Sequence, residues 1–248
     1  MRASRCVIAF FMLSAATVGG CKKNTPRSSV PSTNQASSAW HNYDFQFQVA
    51  NASGNGHSLW LCGSNEALAV SRDGGNHWEV KHLQKASERS LMSVGFANPK
   101  FGYATGTGGV FLTTVDGGES WVDRTTFQET IVQASFADDE HGLVKTAKSI
   151  MFTTDGGSHW SKVSDGQNQE DMRHFPYVFS PVALDSAHMA VMLKEGSAQY
   201  YAQALVFTKD SGKTWRFLNI PNVTLYSFLR VDSQYWAVGR ARDILVVF

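Results

Sequence analysis

The sequence predicts an all-β protein: a β-propeller of four-stranded antiparallel blades, about five in number. Two observations carry this expectation. An eight-residue turn signature, Ser/Thr-x-Asp-x-Gly-x-x-Trp, occurs four times, at Ser71–Trp78, Thr114–Trp121, Thr153–Trp160 and Thr208–Trp215. The aspartates are spaced by 43, 39 and 55 residues, and three β-prone runs fill each interval. A four-stranded unit of about 40 residues is the period of a propeller blade.

The elements follow in chain order. Met1-Arg2-Ala3-Ser4-Arg5 is a positive head, Val7 to Val18 is apolar, and Val18-Gly19-Gly20-Cys21 closes the stretch with small residues before a cysteine. An apolar run this short reads as a secretory signal (residues 1–20) rather than a membrane span. Residues 22–38 hold almost nothing apolar and are expected to form a disordered tether behind Cys21, with a reach of roughly 20–25 Å. The propeller is expected over residues 39–248.

Within each unit, strand candidates such as Leu91-Met92-Ser93-Val94 and Ile131 to Phe136 come first. A second run follows (Trp60-Leu61-Cys62-Gly63, Tyr103-Ala104-Thr105-Gly106, Gly142 to Lys145, His188 to Met192), and then a third (Leu68-Ala69-Val70, Val110-Phe111-Leu112, Ile150-Met151-Phe152, Leu205-Val206-Phe207) leading into the signature. The signature itself fits a tight hairpin. The Asp carboxylate accepts turn amides, Gly supplies backbone angles that a side chain forbids, and Trp packs beside the turn. Ser71, Asp73, Gly75, Trp78, Thr114, Asp116, Gly118, Trp121, Thr153, Asp155, Gly157, Trp160, Thr208, Asp210, Gly212 and Trp215 are therefore read as structural, not catalytic.

A fifth unit opens with Ser227 to Val231 and Tyr235 to Gly239. The second run precedes the box Asp by ten residues in the first three units, which places the next Asp at position 249, beyond Phe248. Two endings fit. In one, Ser38-Ala39-Trp40-His41-Asn42 supplies the outer strand of the last blade and closes the ring, which removes exposed strand edges. In the other, the ring is left open.

The run from Gly102 to Trp121, Gly-Tyr-Ala-x-Gly-x-Gly-Gly followed by Thr-x-Asp-Gly-Gly-x-x-Trp, resembles the Asp-box or BNR repeats, and most of all those of photosystem II assembly/stability factors. That resemblance implies a propeller acting as an assembly factor. Sialidases, xyloglucan-cleaving glycosidases and sortilin-type receptors share the box. The end of the signal resembles a bacterial lipobox, which implies cleavage before Cys21 and acylation there, and several acyl chains anchor a protein stably. Lys22 after the cysteine favours the outer membrane or cell surface, with a periplasm-facing position as the alternative.

Charge and composition exclude several classes. The chain is formally +1, and removing Arg2 and Arg5 with the signal leaves it near −1, with no basic stripe for nucleic acid. Gly106 to Gly109 joins two strands and opens no helix, so it is no phosphate loop. The eight histidines show no paired ligand spacing, and each Asp-Gly turn offers too few oxygens for calcium, so no metal and no cofactor are expected. Cys6 leaves with the signal and Cys21 takes lipid. Cys62 then stands alone and is read as a small buried hydrophobe.

Function is expected on the face opposite the boxes, where loops differ between blades on a rigid scaffold. Its candidate binding residues are Arg173, His174 and Tyr177 on the longest crossing, Tyr200 and Tyr201 on an insertion, and Arg240 and Arg242 in the fifth unit; arginine and tyrosine are favoured interface anchors. The partner is expected to be another envelope or membrane protein, or alternatively a glycan, bound by a monomer. A sialidase-type glycoside hydrolase is the competing expectation. It lacks the Arg-Ile-Pro element that opens sialidases, and no Tyr–Glu pair is fixed by the sequence.

Overall fold

In a computed structural model the described residues are 43–54, 58–83, 88–163, 177–194, 203–220, 224–231, 234–241 and 244–247. Two compact units are distinguished, Met1–Gln46 and Phe47–Phe248. In the first, the only described residues are 43–46, where Tyr43 stacks on Phe45.

The second unit is a succession of antiparallel sheets. Sheet one is β1 (Val49–Gly54), β2 (Leu59–Gly63), β3 (Ala67–Ser71) and β4 (Glu79–His82). Sheet two is β5 (Leu91–Phe96), β6 (Gly102–Gly106), β7 (Phe111–Thr114) and β8 (Val122–Asp123). Sheet three is β9 (Ile131–Phe136), β10 (Gly142–Thr146), β11 (Ile150–Thr153) and β12 (Ser161–Lys162). Sheet four is β13 (Tyr177–Ala183), β14 (Met189–Lys194), β15 (Gln203–Thr208) and β16 (Arg216–Ile220), and sheet five is β17 (Thr224–Val231), β18 (Gln234–Ala241) and β19 (Ile244–Val247). Strand order equals chain order in every sheet, as expected of hairpin-connected blades. The first strands run side by side, β1 against β5, β5 against β9 and β9 against β13.

The same irregularity recurs in each first hairpin. The register slips between Val49 and Asn51, Leu91 and Ser93, Ile131 and Gln133, Val178 and Pro181, and Leu225 and Ser227, near the start of the first strand. A bulge sharpens local twist and turns the strand's side chains toward different neighbours. Between bulge and turn, side chains interlock with the adjoining blade: Val94 N donates to Asn51 Oδ1 (3.2 Å), Tyr103 Oη to Ala134 O (3.2 Å) and Ala183 N to Ser135 Oγ (2.9 Å).

The core is divided among the spaces between sheets. Trp60, Cys62, Leu68, Val70, Leu91, Val94, Ala104, Val110 and Leu112 fill the first space. Phe101, Tyr103, Phe111, Ile131, Ala134, Phe136 and Val144 fill the second, and Leu143, Ile150, Val163, Met189, Val191, Val206 and Trp215 the third. Sheets two and three therefore bury both faces, and β2, β3, β6 and β7 are buried almost throughout, which explains why they read as continuous apolar runs without strict alternation. Cys62 is fully buried, and desolvation pushes its thiol up to about 12. It packs as the small hydrophobe expected from the sequence.

Candidate functional site

The four Asp boxes build one hydrogen-bonded turn. The hydroxyl of the first residue donates to the carboxylate: Ser71 Oγ to Asp73 Oδ1 at 2.9 Å, Thr114 Oγ1 to Asp116 at 2.7 Å, Thr153 Oγ1 to Asp155 at 2.8 Å and Thr208 Oγ1 to Asp210 at 2.8 Å. The same oxygen accepts the amide of the box glycine at 2.7 Å (Gly75), 2.9 Å (Gly118 and Gly157) and 3.0 Å (Gly212). The carboxylate accepts the amide four residues on, from His77 (2.9 Å), Ser120 (3.0 Å), His159 (2.9 Å) and Thr214 (2.8 Å). The side chains of those four residues complete the set through a second carboxylate contact.

These bonds decide the chemistry of the aspartates. The His159 amide and ring hold Asp155 down at about 2, and the Thr214 hydroxyl and amide hold Asp210 at about 2. Asp73, bonded chiefly by the His77 amide, and Asp116, bonded chiefly by the Ser120 hydroxyl, lie lower still within the same pattern. A carboxylate this acidic, with its lone pairs taken by the turn, is a poor proton donor and a weak base near neutrality. Each box is a self-contained hydrogen-bonded turn.

The boxes of sheets two to four also join neighbours. A Cβ on Gly118 would stand 2.3 Å from the Trp60 ring, one on Gly157 2.4 Å from Phe111 and one on Gly212 2.3 Å from Phe152. The box indole packs on the same ring, edge-on for Trp121 with Trp60 (6.0 Å) and Trp160 with Phe111 (5.5 Å) and tilted for Trp215 with Phe152 (5.5 Å between centroids). Glycine is thus required for closeness as well as for positive φ. Sequence reasoning assigned the tryptophans to their own turns. In sheets two to four they also staple their sheet to the preceding one.

A second turn device, absent from the sequence reading, sits between the first and second strands. Asn98 Oδ1 accepts the amides of Lys100 (2.9 Å) and Phe101 (2.8 Å). Asp138 accepts those of Glu140 and His141 (2.9 and 2.6 Å), and Asp185 those of Ala187 and His188 (2.8 Å each). Burial works against ionisation of Asp138, and the amides of His141 and Glu140 outweigh it, lowering its pKa. This turn is tied to the box beside it: Gly117 N donates to Lys100 O and Gly156 N to Glu140 O, both at 2.8 Å, and Ser211 N to Ala187 O at 3.0 Å. Its signal was an Asn or Asp three residues before Phe101, His141 and His188.

The opposite ends of the strands carry the second-to-third-strand turns and the crossings. In sheet one that turn is Ser64–Glu66, with Asn65 at φ 60° and Glu66 at φ 48°; in sheet two it is Thr107–Gly109, with Gly108 and Gly109 at 64° and 75°. Two non-glycine residues thus hold angles for which the neighbouring sheet uses glycine, at a cost of order 1 kcal/mol each. Glu66 is fully buried, and its carboxylate accepts from Nε of Arg89, on the crossing into β5. Asp123 Oδ2 stands 4.0 Å from the same guanidinium. Partial burial lowers the pKa of Lys145. Nothing in the sequence singled out Glu66, which read as an ordinary turn residue.

Of the candidate binding residues, Arg173, His174, Tyr200, Tyr201 and Arg242 lie outside the described residues. Tyr177 opens β13 opposite Lys194, and Arg240 lies late in β18 opposite Thr224 and Leu245. Both backbone positions are at the strand ends away from the boxes, in different sheets. Among the described residues no group of three or more His, Cys, Asp or Glu is placed to hold a metal ion, and no helix is long and apolar enough to cross a membrane.

Repeated four-stranded sheets stacked face to face and pinned by Asp-box turns define a BNR-type β-propeller. The repeats resemble those of the photosystem II assembly-factor type: the family model described as "Photosynthesis system II assembly factor YCF48" matches residues 32–129. The chain is similar to a photosystem II assembly lipoprotein, Ycf48, of Synechococcus sp. (strain CC9902), at 26% identity over 75% of this chain and 54% of that one. It is also similar to the photosystem II assembly protein Ycf48 of Thermosynechococcus vestitus, at 28% identity over 64% of this chain and 43% of that one. The chain thus spans about half the length of these curated relatives. Among solved structures, the Dos1 propeller shares the fold, with a TM-score of 0.50 and 14% identity over 79% of this chain and 56% of that one.

Proposed function

We propose that this protein is an exported, lipid-anchored propeller that binds another membrane or envelope protein and serves as an assembly factor, without catalysis of its own. The observation that carries the reading is the likeness of its repeats to assembly factors, one of which is named a lipoprotein, together with the cysteine at the end of its apolar leader. The box carboxylates are saturated by their own turns, so these aspartates are not suited to proton transfer. The working surface is the face opposite the boxes, with Arg173, His174, Tyr177, Tyr200, Tyr201, Arg240 and Arg242 as its anchors and Cys21 as the lipidated residue.

The test is crosslinking in intact membranes followed by recovery of the protein, comparing wild type with a variant in which Arg173, Tyr201 and Arg240 are all changed to alanine. The expected result is loss of a specific membrane-protein adduct with melting temperature unchanged. Recovery of every adduct at wild-type yield overturns the assignment of this face. Separately, Cys21→Ser is expected to release the protein from the membrane fraction, and its full retention there overturns the anchor.

A further inference from the structure

The bulge that recurs in each first hairpin leaves a residue of the first strand outside the ladder. Ala50 stands between the paired Val49 and Asn51, Met92 between Leu91 and Ser93, Val132 between Ile131 and Gln133, and Tyr226 between Leu225 and Ser227. In β13 two residues, Phe179 and Ser180, stand against Met192 alone. All these bulges lie toward the strand ends away from the boxes, and a bulge re-aims the side chain of its extra residue. Leu91 and Ile131, one position earlier, are fully buried in the cores between sheets, whereas Met92 and Val132 are half-buried and Ala50 is exposed. The first strands run side by side, close enough for Val94 N to reach Asn51 Oδ1 between sheets one and two. In sheets one to three, apolar side chains are thus turned out of the core at one place on adjoining strands.

We propose that Ala50, Met92 and Val132 together receive an apolar side chain of the partner protein, one that lies beside acidic groups of that partner. The proposal rests on the reading of this face as the binding face and adds the chemistry of what it binds. Charge selects the occupant. At these ends of the first and second strands Arg89 is paired with Glu66, and Lys145, Lys194 and Arg240 outnumber Glu129 among the described residues. Two copies of the chain meeting through this basic rim repel each other, whereas an acidic stretch of a different protein is drawn to it. An apolar centre inside a charged rim is also the anatomy of a protein interface, and methionine, unbranched and polarizable, adapts to the side chain it meets.

Two measurements on the full-length protein in intact membranes test this. Met92→Gln/Val132→Thr keeps the length and shape of both side chains and makes them polar. The yield of the membrane-protein adduct is expected to fall roughly tenfold with melting temperature unchanged. A yield at the wild-type level overturns the proposal; if the alanine variant of Arg173, Tyr201 and Arg240 still loses the adduct, the face stands and only its apolar centre falls. If instead the polar variant loses the adduct and the alanine variant keeps it, the apolar centre stands and those anchors fall. The second measurement does not depend on the double variant folding well: the exposed Ala50 is replaced by the photoreactive residue benzoylphenylalanine. Its crosslink is expected to map, by peptide mass spectrometry, to an apolar residue close to Asp or Glu in a different polypeptide. The same group at Val115, 71% exposed on a box turn, is expected to miss that peptide. A crosslink from position 50 to a second copy of the chain, to lipid or to a segment without acidic residues, or no crosslink at all, overturns the proposal, as does equal labelling from position 115.

Discussion

Thr114→Val isolates what one box hydroxyl contributes. Valine keeps the shape and β-propensity of threonine and removes only the oxygen. That oxygen accepts the Gly118 amide at 2.9 Å and the Asp116 amide at 3.3 Å, and donates to Asp116 Oδ1 at 2.7 Å. Thr114 and Gly118 are both buried, so the Gly118 N–H is stranded without a partner. An unsatisfied buried donor costs about 1–3 kcal/mol, and loss of the bond to the exposed Asp116 adds about 0.5–1 kcal/mol. The total, about 1.5–4 kcal/mol, lowers the melting temperature of a domain this size by about 3–16 °C. Thermal unfolding followed by circular dichroism reads the shift. Thr154→Val, at the exposed second position of the third box, is the control and is expected to move by less than about 2 °C. Thr114→Ser is expected to recover most of the loss, since Ser71 makes the same bonds in the first box. A Thr114→Val protein that melts with wild type, or a Thr114→Ser protein as weak as the valine variant, refutes the reasoning.

Other perturbations separate the remaining contributions. Gly157→Ala places a methyl group 2.4 Å from Phe111 at φ 88° and is expected to cost about 3 kcal/mol, whereas Gly74→Ala, with φ 74° and open space around it, should cost about 1 kcal/mol; chemical denaturation compares the two. Asp155 and Asp210 titrate near 2 in the folded protein, below the unfolded value of about 3.9. Their contribution is therefore complete above about pH 4 and is lost as pH falls toward about 2. In Asp155→Asn/Asp210→Asn, stability is expected to be lower at pH 7 and to fall less between pH 4 and 2; an unchanged acid limb counts against it. Arg89→Ala leaves the buried Glu66 carboxylate without its guanidinium and is expected to cost about 3 kcal/mol at pH 7, read by chemical denaturation. The Cys62 thiol, buried and raised to about 12, should resist alkylation in the native state and react once the protein is unfolded, as read by peptide mass spectrometry.

The fold was legible because its local chemistry repeats. Ser or Thr, Asp, Gly and Trp at fixed offsets specify a turn whose hydrogen bonds are almost wholly internal, so Ser71–Trp78 and its three counterparts could be placed without knowing any long-range contact. The apolar runs were legible for a related reason: strands buried on both faces need no alternation. The features that escaped the sequence depend on neighbours. Glu66 is informative only because the turn beside it uses Gly108 and Gly109, and because Arg89 arrives from a crossing 23 residues away. The role of Gly118 as a seat for Trp60 joins residues of different blades, and no local pattern records such a meeting. The proposed binding face was legible only as a face. Topology fixes which strand ends lie away from the boxes, and Tyr177 and Arg240 lie there, whereas loops that differ from blade to blade have no repeat to be read against.

The staple between blades has a direction. In every case described, the ring belongs to the earlier blade and the glycine and indole to the later one. A chain made from its N-terminus, domains and parts folding as they emerge, has each template standing before the segment that needs it appears. Assembly can thus advance one blade at a time without waiting for distant sequence. By the same token, damage to an early ring such as Trp60 removes the mould for the next blade, while a late lesion leaves the preceding blades correctly cast.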